Sequence, residues 1–199
     1  MGPSRLPGRS SRPSSKRSRV FLKVKPLSKL PAGTRVFIDA NIFIYHFTGA
    51  SQECREFLAR CEHGEVFGAT GVFILLEVLH RLMMIEAEAK KLVTPGGVAK
   101  KLKEKPEIVK RLKDYQAHAD AILEMGVEIL PLDVESVAMS GRYRRKHGLL
   151  VNDSVTVALA LSQGISTLAS ADRDFERVRE LAVYKPMDVA VQAAGGKNQ

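Results

Sequence analysis

The chain has 199 residues, 45% of them hydrophobic and 27% charged, which suits one globular domain with an appendage. No apolar run approaches the ~18 residues that a membrane helix needs. The two cysteines, Cys54 and Cys61, exclude a disulfide scaffold: in a helical stretch this spacing separates their Cα atoms by roughly 10 Å, and they are expected as free thiols of a reducing cytoplasm. The net charge of +9 sits at one end: residues 1–30 hold nine of the 31 Lys and Arg and no acid, leaving 22 bases against 22 acids in the remainder. The basic character therefore belongs to a tail and is not by itself a sign that the domain binds nucleic acid.

Residues 1–19, rich in Ser, Pro, Gly and Arg, cannot bury enough apolar surface to offset their ordering entropy and lack the apolar stretch of a signal peptide. The division expected is a basic, disordered tail over 1–30, a folded domain over 31–190 and a flexible tail over 191–199. Val36-Phe37-Ile38 reads as a buried strand ending at Asp39. Helical periodicity follows over 41–47 and 51–63, then a strand at Val66-Phe67-Gly68-Ala69. Residues 72–89 carry the clearest helix, with Val72, Leu75, Leu76, Leu79, Leu82 and Met83 at helical spacing, ended by Thr94-Pro95-Gly96-Gly97. A helix over 107–125, a strand at Val127–Leu130, helices over 133–147 and 152–163, a strand at Thr167-Leu168-Ala169, a helix from about 173 and a short strand at Leu181–Tyr184 complete the pattern. Strands alternating with helices predict an α/β fold with a mostly parallel sheet.

Such sheets place their sites beyond the carboxyl ends of the strands. Asp39 stands there, as do Asp172 and Asp174 after Thr167-Leu168-Ala169. Asp153 opens the helix at 152–163, and Glu77 shares a helix face with Phe73, Ile74, His80, Arg81 and Met84. Each acid has an ordinary alternative. Asp39, Asp153 and Asp172 suit helix caps, Asp174 suits a first helical turn, and Glu77 can pair with Arg81. The alternatives do not explain why several elements each deliver a carboxylate to one edge of the sheet. A cluster of carboxylates repels itself unless divalent cations neutralise it, and oxygen ligands of this kind prefer Mg²⁺ or Mn²⁺. Paired ions of that type clamp a phosphodiester and activate water.

Val36-Phe37-Ile38-Asp39-Ala40-Asn41-Ile42-Phe43-Ile44-Tyr45 resembles the opening strand and helix of the PIN domain, in particular that of VapC-type toxins. Ile74-Leu75-Leu76-Glu77-Val78-Leu79, Leu149–Ala160 around Asp153, and Thr167-Leu168-Ala169-Ser170-Ala171-Asp172-Arg173-Asp174-Phe175 resemble the family's later acidic motifs, in order and at the right spacing. The resemblance, from about Arg35 to Tyr184, implies a three-layer fold around a central, mostly parallel sheet. It implies Mg²⁺- or Mn²⁺-dependent cleavage of RNA, a homodimer and a small antitoxin, without membrane association. By position, Asp39, Glu77 and Asp153 become metal ligands, Asp172 the fourth acid and Asp174 a further acid of the same motif. Ser170 matches a supporting hydroxyl, and Asn41 and Asn152 are read either as groups that hydrogen-bond the acids or as helix caps.

Two features depart from compact toxins: the basic tail, and residues 90–115 with nine bases against Glu104, Glu107 and Asp114. Lys100, Lys101 and Lys103 there, and Arg144 and Arg145 in a second basic cluster, are candidate RNA contacts; the alternative is a solvated helical face. The five histidines lack metal-ligand spacing, and His80 is read as structural. Housekeeping RNA processing and a non-catalytic RNA-binding module remain as other readings. A dehalogenase-type phosphatase is disfavoured because Asn41 stands where that family needs a second Asp.

Overall fold

The computed structural model describes residues 24–189. The expected tail segments 1–19 and 191–199 lie outside the described residues. Six parallel strands form one sheet: β1 (Lys25–Pro26), β2 (Arg35–Ile38), β3 (Phe67–Gly71), β4 (Glu128–Leu130), β5 (Thr167–Ala169) and β6 (Ala182–Lys185), in the order β1-β6-β5-β2-β3-β4. β2 is central and carries no polar residue after Arg35; Val36, Phe37 and Ile38 are fully buried, as a strand covered on both faces requires. The chain runs from β2 to β3 and β4 on one side, then crosses to β5 and β6 on the other. The order therefore reverses between β2 and β5, where an open α/β sheet leaves a crevice at its carboxyl edge.

The helices are α1 (Ala40–Phe47), α2 (Gln52–Glu62), α3 (Val72–Ala89), α4 (Val98–Glu104), α5 (Pro106–Val109), α6 (Asp114–Glu124), α7 (Val134–His147) and α8 (Val151–Ser162). α1 packs on α2 and α3, α3 on α6 and α4, and α7 on α8. Ser51 caps α2 by accepting from Cys54 N, and Asp133 caps α7 by accepting from Ser136 N. Cys54 and Cys61 are free, buried thiols whose pKa burial pushes up to about 12. No helix among the described residues is long and apolar enough to cross a membrane.

Three expectations are corrected. The boundary at residue 30 falls too late, because Lys25–Pro26 pairs with β6 and Leu27 and Leu30 are buried in the main core. Two residues including a proline carry no strand signature, and an edge position tolerates the missing N–H of Pro26. The single helix over 107–125 is instead α5 and α6, preceded by the unexpected α4. Pro106 stands at the first position of α5, where a missing N–H costs nothing. Finally, the helix from about 173 is only a 3₁₀ turn, Asp174–Arg177.

The 93–112 segment is amphipathic: Lys100, Lys103, Lys105 and Lys110 lie on a solvated face, and the other side is a folded platform. Val93, Val98, Leu102, Ile108 and Leu112 form a second core against Ala87 of α3. Glu86, buried beside it, ties this platform to α6: its carboxylate accepts from Lys90 Nζ (2.5 Å), Lys113 N (3.1 Å) and Tyr115 N (2.9 Å). Burial alone would raise its pKa, but these donors outweigh it and hold the carboxyl down at about 2. A depressed carboxyl stabilises the fold fully above its ordinary pKa of 4.5, and that stability is lost as pH falls towards 2. Glu86→Gln is expected to cost about 1–3 kcal/mol at pH 7, by leaving charged and backbone donors short of an acceptor. Urea melts at pH 7 and pH 3 check this, since the deficit of the variant should shrink at the lower pH.

Candidate active site

The register brings the first acid to the crevice. Phe37 pairs with Leu168 and Ile38 with Ala169, so Asp39 leaves β2 level with Ser170 at the end of β5. Asp39 N donates to Ala169 O (3.0 Å), while the buried Thr70 hydroxyl donates to Ile38 O (2.8 Å) from the β3 side. The turn into α1 is thus held from both neighbouring strands.

Asp39 does cap α1, with Oδ1 accepting from Ala40 N at 2.8 Å. Its other oxygen, Oδ2, accepts from Ser170 Oγ (2.6 Å) and Asn41 Nδ2 (2.5 Å). Capping and a role in the site are therefore compatible. Ser170, fully buried, also accepts from Asn41 Nδ2 (3.2 Å) and Asp172 N (3.0 Å), which uses its whole hydrogen-bonding capacity. Asn41 Oδ1 accepts from Ala171 N at 3.0 Å, locking the loop after β5 to the start of α1. Of the two asparagines singled out in sequence, Asn41 is wired to the acid. Asn152 is exposed, with no side-chain hydrogen bond among the described residues.

The other acids surround this knot. Burial, then the Glu77 and Asp153 charges, push Asp39 up to about 7 against the pull of Ser170 and Ala40 N–H. Burial, then Asp172, Asp174 and Glu77, push Asp153 up to about 6. All five carboxylates thus share one electrostatic field. Among the described residues Glu77 has no ion pair with Arg81, and of these five acids only Asp174 has a cationic partner, Arg177 at 2.8 Å. Asp153 lies within the first turn of α8, not at its cap position, which is Leu150; the Leu150 backbone N–H pulls weakly against the rise in the Asp153 pKa. Asp172 Oδ1 accepts from Asp174 N at 2.8 Å, bending the chain rather than starting a helix.

Asp39 and Asp153, desolvated and repelled by neighbouring acids, belong to a donor set that fits a hard divalent ion. Among the described residues, no three His, Cys, Asp or Glu side chains stand together as a finished chelate. Mg²⁺ does not require one, since it keeps several waters and takes only one or two carboxylates.

The sequence profile of the PIN domain matches residues 36–181. The chain belongs to the PIN-domain family. It is 30% identical over 153 residues to Ribonuclease VapC2 of Methanocaldococcus jannaschii, covering 76% of this chain and 93% of that protein. The fold resembles the structure of VapBC2 from Rickettsia felis bound to a DNA fragment from their promoter, with a TM-score of 0.52, 15% identity and 76% and 98% of the two chains covered. Mycobacterium tuberculosis VapC20, a Sarcin-Ricin loop cleaving toxin, aligns at a TM-score of 0.49 and 13% identity, covering 75% of this chain and 98% of that one.

The basic residues divide sharply within this PIN domain. Lys101 is consumed locally, its ammonium donating to Thr94 O, Thr94 Oγ1, Pro95 O and Gly96 O. Arg144 donates to Ser140 Oγ and to Ser154 Oγ, beside Asp153, and so links α7 to α8. Lys100, Lys103 and Arg145 are exposed, but only Lys100 lines a groove next to the acids. Sequence reasoning gave Tyr45 no role of its own and Arg81 only that of an ion-pair partner for Glu77. Tyr45 lies one helical turn after Asn41, and its pKa is raised by burial, then by Cys54 and Asp39, and lowered by Arg81. Helical spacing from Asn41, and from Glu77 to Arg81, was the signal available for both.

Proposed function

We propose that the chain is a metal-dependent endoribonuclease of VapC type, the toxin of a toxin–antitoxin pair that acts in the cytoplasm. The observation that carries this is the set of carboxylates gathered at the β2–β5 crevice, with Asp39 and Asp153 held against their own solvation and charge. A module that merely binds RNA gains nothing from negative charge facing phosphate. The ribonuclease named in the 30%-identical relative supports the same chemistry.

Asp39, Glu77 and Asp153 would hold Mg²⁺ or Mn²⁺. Asp172 is the better fourth ligand, because Asp174 is committed to Arg177. Such ions, when bound, polarise the scissile phosphate and lower the pKa of attacking water. The chain itself supplies orientation. Ser170 and Asn41 fix the rotamer of Asp39, and the loop bond from Ala171 N to Asn41 keeps Asp172 on the same edge. The homodimer would bury apolar side chains flanking the acids: Val72 and Leu76 beside Glu77, and Leu150 and Val151 beside Asp153, which are 40–73% exposed in the single chain.

Inducible expression of the wild type and Asp39→Asn in a bacterial host, with RNA ends mapped, tests the proposal. Growth arrest with new 5′ ends for the wild type only is the expected result. Arrest by both, without new ends, would refute the reading.

A further inference from the structure

Beside the acids lies a groove of about 890 Å³, bounded by α1, α3 and the start of α4. Its size falls within the ~300–1,000 Å³ of small-ligand sites. It begins at Asn41, the residue bonded to the Asp39 carboxylate, and runs along α1 to Ile44 and Tyr45. From Asn41 to Tyr45 is about 6 Å along the helix axis. The opposite wall continues the face of α3 that carries Glu77, through Arg81 and Met84, and the far wall is Gly96–Lys100.

The chemistry of the lining is mixed in a particular way. Tyr45 is half-buried, and its hydroxyl has no hydrogen-bond partner among the described residues. Ile44 and Met84 give an apolar floor beside its ring. Arg81 is exposed with no ion pair among the described residues, and Lys100 faces only Glu104, at 4.0 Å. His80, read in sequence as structural, is exposed on the rim, and Glu88 is the single acid of the lining.

The far wall is built, not incidental. Lys101 knots residues 94–96 through four acceptors, Gly97 enters α4 with φ of 61°, and Val98 and Leu102 anchor that helix in the second core. The 93–112 platform thus closes a groove that would otherwise be open on one side.

We propose that this groove is a nucleotide subsite for single-stranded RNA, in which Tyr45 and Met84 hold an unpaired base while Arg81 and Lys100 take the phosphate next to the one cleaved. The inference rests on the ribonuclease reading above. An aromatic ring with flanking cations is the combination that binds single strands, and a base can enter such a groove only when unpaired. Arg81 stands one helical turn from Glu77 and Lys100 on the far wall, so the groove offers positive charge to a backbone that the acids would otherwise repel. A peptide occupant would want acidic side chains against Arg81 and Lys100 and would leave the ring of Tyr45 without a stacking partner.

The test uses the full chain carrying Asp39→Asn, so that the probe survives, and a fluorescein-labelled single-stranded RNA about ten nucleotides long. Tyr45→Ala is expected to weaken binding by about 5- to 100-fold, the range of one lost stacking contact, while Tyr45→Phe binds as before. Arg81→Ala and Lys100→Ala should each lower the slope of log affinity against log salt by about 0.7. An abasic residue beside the cleavage point should weaken binding to the Tyr45 protein and not to Tyr45→Ala. Unchanged affinity in Tyr45→Ala and Arg81→Ala, from a protein whose Asp39 form cleaves RNA, would overturn the subsite and leave the nuclease reading intact. Normal RNA binding by these variants with loss of a small protein partner would assign the groove to that partner and overturn the subsite equally. Absence of cleavage by the Asp39 form would instead refute the nuclease reading itself.

Discussion

Asp39→Asn is expected to raise the melting temperature of the metal-free protein at pH 8 and to lower it, relative to wild type, once Mn²⁺ is added. The first half follows from the sign of the Asp39 shift. In the unfolded chain this carboxyl ionises near 3.8, and in the fold near 7. Between those values the folded state holds a proton that the unfolded state has released, so stability falls as pH rises from about 4 to about 7. Above pH 7 the charge is present in both states and the full penalty remains. At 1.36 kcal/mol for each pH unit it has a ceiling of about 4 kcal/mol. Asparagine removes the charge and keeps an oxygen for Ala40 N, but its Nδ2 cannot accept from Ser170 Oγ or Asn41 Nδ2, so both hydrogen bonds at Oδ2 are lost, about 2 kcal/mol. A net gain of about 1–2 kcal/mol corresponds to roughly 2–8 °C for a chain of this size. Metal reverses the order, because a ligand at 100 times its dissociation constant adds about 2.7 kcal/mol to the state that binds it. Melts in EDTA and in Mn²⁺, at pH 5 and pH 8, measure all four corners. A variant less stable than wild type in EDTA at pH 8 would show that Asp39 is not held against a cost.

The fold was legible where local pattern and burial coincide. β2, with three buried aliphatic or aromatic residues before an acid, and α3, with its long apolar stripe, declare themselves without tertiary knowledge. Where tertiary contacts decide, the pattern misleads. β1 exists because β6 offers an unpaired edge and because Leu27 and Leu30 find the core, not because Lys-Pro favours a strand. α5 and α6 share one helical period, yet the chain breaks between them because Glu86 captures the N–H groups of Lys113 and Tyr115. That capture depends on a residue 27 positions away from Lys113, which no local window contains.

Asp39, Asp172 and Asp174 could be grouped in sequence because they follow parallel strands, which deliver their C-terminal residues to one edge, whereas Glu77 and Asp153 arrive on α3 and α8. The wiring of the acids was less legible. Asn41 and Asn152 look equivalent in sequence, each adjacent or nearly adjacent to an acid at a helix start. Only Asn41 lies opposite β5, and so only Asn41 reaches Ser170 and Ala171. The lysines of the 90–115 segment were indistinguishable as charges. Three-dimensional position turns Lys101 inward as a loop clamp and leaves Lys100, its neighbour, on the wall of the groove.

Asp153→Asn is expected to reduce RNA cleavage by at least about 10³-fold, equivalent to some 4 kcal/mol of transition-state stabilisation, while RNA affinity stays level or improves. The carboxylate sits in the first turn of α8, where it pairs with no cation and its one contact with the fold is the backbone N–H of Leu150, the weakest of the influences on its pKa. Burial and three neighbouring acids hold its pKa near 6, so removing its charge relieves a strain instead of creating one. In the absence of metal, the same removal lessens the repulsion of phosphate. Loss of cleavage without loss of binding is therefore the signature of a group that acts on the reaction and not on the complex. Single-turnover cleavage and filter binding on one RNA, at two salt concentrations, separate the two. Cleavage retained within tenfold would remove Asp153 from the mechanism. A parallel fall in cleavage and affinity would mean that Asp153 shapes the RNA surface through α8, whose Ser154 receives Arg144, rather than the chemistry.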